Sequence, residues 1–262
     1  MTDRIEKTAA ISAAAKALSG CRRLLVLTGA GLSADAGVAT FRGEGGLWNA
    51  YKAEDLASLD GFQRNPELVW DWYRERRMAV AEAQPHAGQR SLALLQQHYP
   101  GGQVLVSTTN EDDLLERAGV KNVVHLHGLL FTTSCVAKCG WSKPDHDDNA
   151  WSMVPCPMCG AATRPGSVWY GESLPLGVLD QVAKFDPDGC LLIGSSCLVQ
   201  PVASIPSDIA VLSHPVVEVN TEDTPFTEFA EVHLRGTAKE MLPGLVDLLT
   251  SHIMRAQQER GG

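Results

Sequence analysis

Two closely spaced pairs of cysteines near the middle of the chain constrain its fold more than any other feature. Cys135 and Cys139 form a Cys-x3-Cys pair, and Cys156 and Cys159 form a Cys-x2-Cys pair shortly after it. Two such pairs can converge on one tetrahedral Zn²⁺ with four thiolate ligands. Four sulfur ligands leave no position for a reacting water, so we predict one structural zinc ion and look for the chemistry elsewhere. The alternative is a set of unconnected or redox-active thiols.

Length and charge limit the classes of function. The chain has 262 residues, enough for one large domain or for one domain with an insertion. Its formal net charge of −9 argues against nucleic acid as a partner, because phosphate binding needs a basic surface. The same charge suits cationic protein substrates.

Segments that would direct the chain to a membrane or a secretory route are not evident. The first residues, MTDRIEKTAA, carry acidic side chains and lack the apolar core of a signal peptide. No apolar run reaches the length of a membrane span. Cys21, Cys190 and Cys197 remain outside the two pairs, and an odd remainder suggests reduced thiols. We therefore expect a cytoplasmic protein with no membrane partner.

Short apolar runs alternate with helical segments along most of the chain. The predicted strands cover 22–28, 103–108, 123–127, 191–194 and 216–220, and the predicted helices cover 5–19, 66–82, 87–97 and 238–255. Strands that alternate with helices and glycine turns predict an α/β fold with a Rossmann-like, doubly wound parallel sheet. The cysteine-bearing segment 133–164 interrupts this alternation, and its polar, proline and glycine residues suit a small metal-held insertion.

Three strand ends carry glycine or polar residues that could surround a dinucleotide. The segment 29–34 (GAGLSA) fits the pattern G-x-G-x-x-[G/A] between a strand and a helix, where glycines allow close approach of a pyrophosphate. Alone, this pattern could equally be a structural turn. Segments 194–196 (GSS) and 220–222 (NTE) follow two other strands. Ligands bind beyond the carboxyl ends of parallel strands, so the three segments together predict a dinucleotide site.

Two histidines end one of the predicted strands. His125 and His127 are two residues apart and would share a face of the strand. Each could be a hydrogen-bonded structural histidine. His127 is the better candidate for a general base, because it precedes a glycine at the strand end and has Asn110 and Asp112 on a neighbouring strand end.

The combined motifs resemble the sirtuin (Sir2) family of NAD-dependent protein deacylases. They are GAGLSADAGVATFRG, TTNEDDLLERAG, VVHLHG, the four cysteines, RPGSVWYGESLP, GSSCLVQP and VNTEDTP, and they occur in sirtuin order and spacing. The resemblance implies an enzyme that uses NAD to remove acyl groups from lysine and releases nicotinamide and O-acyl-ADP-ribose. Alternatives are an NAD glycohydrolase or ADP-ribosyltransferase, which cleave the same bond, and a non-catalytic NAD sensor.

The resemblance also assigns residues to the site. It implies three catalytic residues: His127, the base that activates a ribose hydroxyl, and Asn110 and Asp112, which lie beside the nicotinamide. The predicted NAD-contacting residues are Gly29, Ala30, Gly31, Ser33, Ala34, Thr40, Phe41, Arg42, Trp48, Thr109, Asn110, Asp112, His127, Gly194, Ser195, Ser196, Asn220, Thr221, Glu222 and Ala238. The predicted peptide-binding strand consists of Val168, Trp169, Tyr170, Gly171 and Glu172.

A finer resemblance concerns the acyl group. Thr40 before Phe-Arg and the pair Tyr73 and Arg76 are similar to the branch that removes succinyl, malonyl and glutaryl groups, and Ala57 matches a small residue that leaves room for a longer acyl chain. A guanidinium fork can hold a carboxylate through two hydrogen bonds. The alternative is a solvated, arginine-rich helix with Tyr73 half buried. We expect the neighbouring Arg74 and Arg77 to point to other faces of the helix and to serve as controls.

Two residues depart from the usual family pattern. Thr109 stands where an amide is usual, and Glu111 stands where an aliphatic residue usually lines the nicotinamide pocket. A carboxylate in such a pocket is costly unless it is paired or exposed. We therefore expect NAD affinity, nicotinamide inhibition and turnover to differ from the family norm.

The resemblance divides the chain into two parts around a cleft. The predicted Rossmann NAD-binding domain consists of 1–43, 86–132 and 165–262, and the small helical and zinc-binding domain consists of 44–85 and 133–164. We expect a monomer whose partners are NAD and acyl-lysine proteins or peptides.

Overall fold

The computed structural model describes residues 2–42, 46–99, 103–146 and 152–260. The helices are α1 (Thr2–Leu18), α2 (Gly31–Ala34), α3 (Ala53–Leu56), α4 (Leu59–Arg64), α5 (Pro66–Glu82), α6 (Ala87–His98), α7 (Leu114–Arg117), α8 (Val178–Phe185), α9 (Ile205–Val211) and α10 (Ala238–Arg260). The strands are β1 (Arg23–Thr28), β2 (Gln103–Thr108), β3 (Val124–His125), β4 (Gly128–Cys135), β5 (Ser142–Pro144), β6 (Thr163–Ser167), β7 (Gly189–Ile193), β8 (Val216–Asn220) and β9 (Val232–Arg235).

Six of these strands form a parallel sheet in the order β3-β2-β1-β7-β8-β9. The sheet is buried on both faces, which is why its strands are continuous apolar runs. Leu24 and Val26 of β1 belong to a core that includes residues of α1, α6 and α10, whereas Leu25 and Leu27 belong to a core that includes residues of α8 and α9. The predicted Rossmann-like fold is confirmed.

The order of the strands in the sheet places a crevice beside the central strand β1. The chain passes from β1 to β2 on one side, and β7 pairs with β1 on the other side. The loops that leave β1 and β7 therefore diverge at the carboxyl edge of the sheet, where ligands of such folds bind.

The loops after β1 and β7 meet backbone to backbone. Gly31 N–H donates to the Gly194 carbonyl over 2.9 Å, and Gly29 N–H donates to the Ile193 carbonyl over 2.9 Å. A Cβ atom on Gly31 would lie 2.8 Å from Gly194 Cα, and one on Gly194, whose φ is +57°, would lie 2.6 Å from the Gly31 carbonyl carbon. Both positions therefore require glycine because a Cβ atom would clash with the opposite loop, and Gly194 also requires it because its φ is positive.

The smaller part of the fold is built on an antiparallel sheet, β5-β4-β6. Helix α5 contributes Trp70 and Tyr73 to a third apolar core, where they join Leu130 of β4 and Trp169. The predicted division of the chain stays a prediction: its boundaries at 132 and 165 fall inside β4 and β6, and the one at 43 lies outside the described residues.

The sequence located the long elements well and missed several short ones. The predicted helix 66–82 is confirmed with both of its ends. It begins at Pro66 because Asn65 Oδ1 accepts from Leu68 N–H at 3.1 Å and proline suits the first turn. The short strands β5 and β9 and helices α8 and α9 were not predicted. None of the described helices has both the length and the apolarity that a membrane span requires.

The expectation that Arg77 can serve as a control is wrong. Its side chain is fully buried, and its guanidinium donates to the carbonyls of Leu130 at 2.8 Å and Thr132 at 2.9 Å and contacts Asp145 at 3.3 Å. The packing of α5 against β4 turns this arginine into a structural residue. Arg74, which is partly exposed and pairs with Asp71, is the better control.

Substitution of Gly194 tests the contact between the two loops. We expect Gly194→Ala to lower stability by about 1–2 kcal/mol or more, since it adds a left-handed backbone cost and a steric clash, and to lower Tm by roughly 3–8 °C. Gly177→Ala is the matched control, because Gly177 also has positive φ but nothing lies within 4 Å of its Cβ position. Calorimetry that found equal losses for both variants would show that the loop contact contributes nothing.

Candidate active site

A cavity of about 680 Å³ opens at the carboxyl edge of the parallel sheet. It is bounded by the loops after β1, β2, β7 and β8 on one side and by the smaller part of the fold on the other. The predicted site residues that line it are Gly29, Ala30, Gly31, Thr40, Phe41, Arg42, Trp48, Ala57, Tyr73, Thr109, Asn110, His127, Val168, Trp169, Tyr170, Gly171, Glu172, Gly194, Ser195, Ser196, Asn220, Thr221 and Glu222.

A second cavity of about 20 Å³ adjoins the first and shares Ala30, Phe41, Asn110 and Glu111 with it. Three further predicted residues, Ser33, Asp112 and Arg76, line this small cavity. Two others, Ala34 and Ala238, line neither cavity.

The cavity is also lined by residues that were not among the predicted site residues. They are Leu174, the stretch Cys197 to Gln200, Val202 and Ala203, and the stretch Asp223 to Pro225. Most of them lie within the motifs RPGSVWYGESLP, GSSCLVQP and VNTEDTP, which were the available signal, whereas Val202 and Ala203 lie just beyond the second of these motifs. Glu111 lines both cavities, and the sequence marked it only as a departure from the usual family pattern.

His127 lines the large cavity, two residues after the end of β3. Burial lowers its pKa below the ordinary value, while the charge of Glu111 and a hydrogen bond to the main chain of Thr109 oppose part of that shift. Its carbonyl accepts from Val168 N–H at 2.8 Å, which holds it against the predicted peptide-binding strand. A neutral imidazole in this position can accept a proton from a hydroxyl group.

His125 has a different environment. Its Nδ1 lies 3.0 Å from the Asn110 carbonyl and its Nε2 lies 2.7 Å from Glu116. Burial lowers its pKa, but the hydrogen bond and charge of Glu116 outweigh burial and raise the pKa above its ordinary value. Both ring nitrogens are engaged, so His125 supports the loop that carries Asn110.

Asn110 and Asp112 are fixed by short polar contacts. Asn110 Nδ2 donates to Ser33 Oγ at 3.1 Å, and Asp112 Oδ1 accepts from Leu114 N–H at 3.1 Å. Burial raises the pKa of Asp112, although hydrogen bonds from Ser33 and Leu114 oppose the shift. The small cavity therefore has an amide and a buried carboxyl group in defined positions.

The segment 168–172 crosses the large cavity with its backbone anchored on both sides. Val168 N–H donates to His127, and Tyr170 N–H donates to the Ala57 carbonyl at 2.9 Å. Glu172 accepts from Trp169 N–H at 3.0 Å and from Arg164 at 2.8 Å, so its carboxylate holds the turn at the end of this segment.

Arg76 and Glu111 form an ion pair at the boundary of the two cavities. Arg76 Nη1 lies 2.8 Å from Glu111 Oε2, and the two side chains are 14% and 7% exposed. The guanidinium also contacts the rings of Phe41, Trp72 and Tyr73, with its carbon 4.8, 4.8 and 5.2 Å from their centroids. The solvated-helix alternative is wrong for Tyr73 and Arg76, because packing against these aromatic rings buries both.

The four paired cysteines converge at the far end of β4 and β6. Their sulfur atoms all lie within 4.8 Å of one another, with Cys135 and Cys159 at 3.4 Å and Cys139 and Cys156 at 3.6 Å. Sulfurs that share a tetrahedral Zn²⁺ with bonds of about 2.3 Å are roughly 3.8 Å apart. The cluster fits a structural zinc ion.

Comparisons with known proteins decide the family. The model of the Sir2 family matches residues 29–201. The chain belongs to the Sir2 family. An NAD-dependent protein deacylase of Aquifex aeolicus is 38% identical over 229 residues, which cover 86% of this chain and 95% of that one. The NAD-dependent protein deacylase Sir2 of Mycolicibacterium smegmatis is 40% identical and covers 89% of this chain and 99% of its own.

Comparison with solved structures of Sir2 proteins supports the same family. A variant Sir2 homologue in complex with ADP-ribose is 38% identical with a TM-score of 0.85, covering 93% of this chain and 96% of that one. A Sir2 protein bound to a myristoylated histone peptide is 27% identical with a TM-score of 0.74, covering 95% and 99%. The predictions of a sirtuin fold, an enzyme and NAD dependence are confirmed.

The zinc site of this sirtuin is tested by Cys156→Ser. We expect the variant to unfold or aggregate, because structural zinc binding contributes on the order of 10 kcal/mol in small zinc peptides. Cys21→Ser, outside the cluster, should keep its fold and its zinc. Metal analysis that found no zinc in folded, active wild-type protein would contradict the assignment.

Substitution of His127 and substitution of His125 should have different effects on activity and stability. We expect His127→Ala to lower kcat by about a hundredfold or more through loss of a general base, and His125→Ala to act mainly by lowering Tm. Near-normal deacylation by the His127 variant would show that the base is another group.

The pH profile adds a second readout for His127. Because burial lowers its pKa, the imidazole stays neutral to lower pH than an exposed histidine, and the acid limb of kcat/KM should fall below about pH 6.5. An acid limb centred well above that pH would contradict the assignment.

Proposed function

We propose that this sirtuin, an NAD-dependent protein deacylase, prefers lysine side chains that carry acidic acyl groups, mainly succinyl and malonyl, and removes acetyl groups more slowly. The observation that carries the proposal is a largely buried arginine, Arg76, one helical turn from Tyr73, which lines the same cavity as the predicted base.

Tyr73 is suited to contact the acyl chain. It lines the large cavity, is 1% exposed, and accepts a hydrogen bond from Trp169 Nε1 at 2.9 Å. Its own O–H remains a donor. Burial raises the pKa of Tyr73 well above its ordinary range, so the phenol keeps its proton and can donate to a carboxylate.

Arg76 supplies the charge that an acidic acyl group needs. A terminal carboxylate that enters a buried channel loses its water, and a guanidinium can offset that loss with two parallel hydrogen bonds. The rings of Phe41, Trp72 and Tyr73 hold the guanidinium beside the large cavity and restrict its motion. Ala57 in the cavity wall leaves room for a longer chain than acetyl.

Other residues of the cavity have roles in the common deacylase chemistry. NAD supplies an electrophilic ribose carbon and a departing nicotinamide. The glycine loops at 29–31 and 194 present backbone where a pyrophosphate would lie. Asn110 and Asp112 line the small cavity, beside which the nicotinamide would lie. His127 would take the proton of a ribose hydroxyl.

The peptide would pair with the segment 168–172, whose flanking backbone is already tethered, and the net charge of −9 favours cationic lysine-bearing partners. A monomeric, cytoplasmic enzyme that acts on acyl-lysine proteins or peptides, with no nucleic-acid or membrane partner, stays our prediction.

Arg76→Met tests the acidic-acyl preference. We expect kcat/KM for succinyl-lysine peptides to fall about ten- to a hundredfold, since a charge-assisted hydrogen bond contributes roughly 1.5–3 kcal/mol, while acetyl peptides are spared or improved. Arg76→Lys should not restore the loss fully, because an ammonium lacks the planar fork.

Arg74→Met is the control for the same chemical change on an exposed side of α5. It should leave both substrates unchanged. Equal losses for succinyl and acetyl peptides in Arg76→Met, or a wild type that prefers acetyl-lysine, would leave only a general deacylase.

A further inference from the structure

The arginine proposed to receive the acyl carboxylate already has an anionic partner within the protein. Glu111 Oε2 lies 2.8 Å from Arg76 Nη1, and both side chains are largely buried. A lone guanidinium in this aromatic surrounding would be an uncompensated buried charge, and Glu111 neutralises it. The pair is therefore electrically balanced before any substrate enters.

The contact between the two side chains is close but imperfect. Arg76 Nη1 and Glu111 Oε2 are both buried, and neither makes a well-directed hydrogen bond within the described residues. The attraction is thus mainly a charge contact, and the planar N–H groups keep capacity for a better-aligned acceptor.

The Glu111 side chain has space to move. Glu111 lines both cavities, whereas Arg76 lines only the small one, and the large cavity is the one that solvent and ligands enter. Its backbone is fixed, because its carbonyl accepts from Leu130 N–H at 2.7 Å, so only the side chain needs to rotate. Rotation toward the large cavity would release the guanidinium.

We infer that Glu111 is an internal competitor of the acyl carboxylate and that it sets the balance between acidic and neutral acyl substrates. The inference rests on the proposed function and deepens it. A succinyl group must displace Glu111 from Arg76 or share the guanidinium with it, and either outcome brings two negative charges to one positive charge. A neutral acyl group meets no such competition.

The direction of the effect follows from the charges. Removing the charge of Glu111 leaves one cation to receive one anion, so acidic substrates gain relative to neutral substrates, which meet no competition from Glu111. A tenfold change in this ratio corresponds to about 1.4 kcal/mol, which the Coulomb interaction between two partly buried unit charges exceeds. We therefore expect Glu111→Gln to raise the ratio of kcat/KM for succinyl peptides to kcat/KM for acetyl peptides about tenfold, chiefly through a lower KM for succinyl peptides. Glutamine can still accept from Arg76, which keeps the guanidinium in place.

A double-mutant cycle isolates the competition. Glu111→Gln should change the succinyl-to-acetyl ratio in the wild-type background and should change it clearly less in the Arg76→Met background, where only direct repulsion between the two carboxylates is left to relieve. Glu75→Gln is the matched control, because Glu75 is the exposed neighbour of Arg76 on α5 and makes the same change of charge. It should leave the ratio at its wild-type value.

The outcomes separate the two hypotheses. If Arg76→Met lowers succinyl activity selectively but Glu111→Gln does not change the ratio, the proposed function stands and the competitor role is wrong. If Glu111→Gln lowers the ratio, Glu111 assists acidic substrates and the competitor role is again wrong. If Arg76→Met affects both substrates equally, Arg76 does not receive the acyl group and both hypotheses fail.

A measurement on the wild type covers the case in which Glu111→Gln does not fold. A crystal structure of wild-type protein with a succinyl-lysine peptide should show the Arg76 to Glu111 contact opened or divided, with the succinyl carboxylate on the guanidinium. A structure with an acetyl-lysine peptide should retain the contact. An intact contact with the succinyl carboxylate bound elsewhere would overturn the inference.

Discussion

The close contact between the loops after β1 and β7 is the constraint on which the rest of the site depends. Their glycines allow two backbones to touch at the switch point of a parallel sheet, and this contact fixes one wall of the large cavity. The neighbouring strands β2, β3 and β8 end at the same edge because parallel strands point the same way. Asn110, His127 and Asn220 are brought together by that geometry and not by their spacing in the sequence.

The zinc cluster and the active site lie at opposite ends of one antiparallel strand pair. Strand β4 begins directly after His127 and ends at Cys135, and its partner β6 runs from Thr163 to Ser167, directly before the predicted peptide-binding segment. Four sulfurs at one end would clamp this pair, and the other end positions the predicted base and the segment 168–172. A structural metal can thus affect catalysis through the register of two strands without touching a substrate.

The sequence predicted the parts of the fold that follow local rules. Buried parallel strands such as β1 and β8 are continuous apolar runs, and α5 has a cap and a proline at its start. Short strands such as β5 and β9 have no comparable signal, because tertiary pairing decides them. The cysteines, the glycine loops and the histidines were recognisable by spacing.

Side-chain partnerships were the least predictable part of the site. Arg77 is identical in type to Arg74 and Arg76, and only the packing of α5 against β4 buries it among carbonyls. Glu111 could be recognised as a carboxylate in an unusual place, but not as the partner of Arg76, which is distant in sequence. Such pairs depend on how two separate segments approach each other.

Electrostatics connects the predicted base to the proposed acyl site. Glu111 contacts Arg76 directly, and its charge acts on His127 and Tyr73 as well. A single carboxylate therefore influences the group that would accept a proton and the groups that would hold the acyl chain. This arrangement distinguishes the chain from a sirtuin with an aliphatic residue at the same position.

The central claim is most directly tested by a competition assay on the wild-type enzyme. Equal amounts of a succinyl-lysine and an acetyl-lysine peptide of one sequence would be incubated with NAD, and all products followed by mass spectrometry. We predict that the succinyl peptide is consumed first and that each lysine freed from it is matched by one O-succinyl-ADP-ribose. Faster consumption of the acetyl peptide, or free ADP-ribose formed without loss of an acyl group, would contradict it.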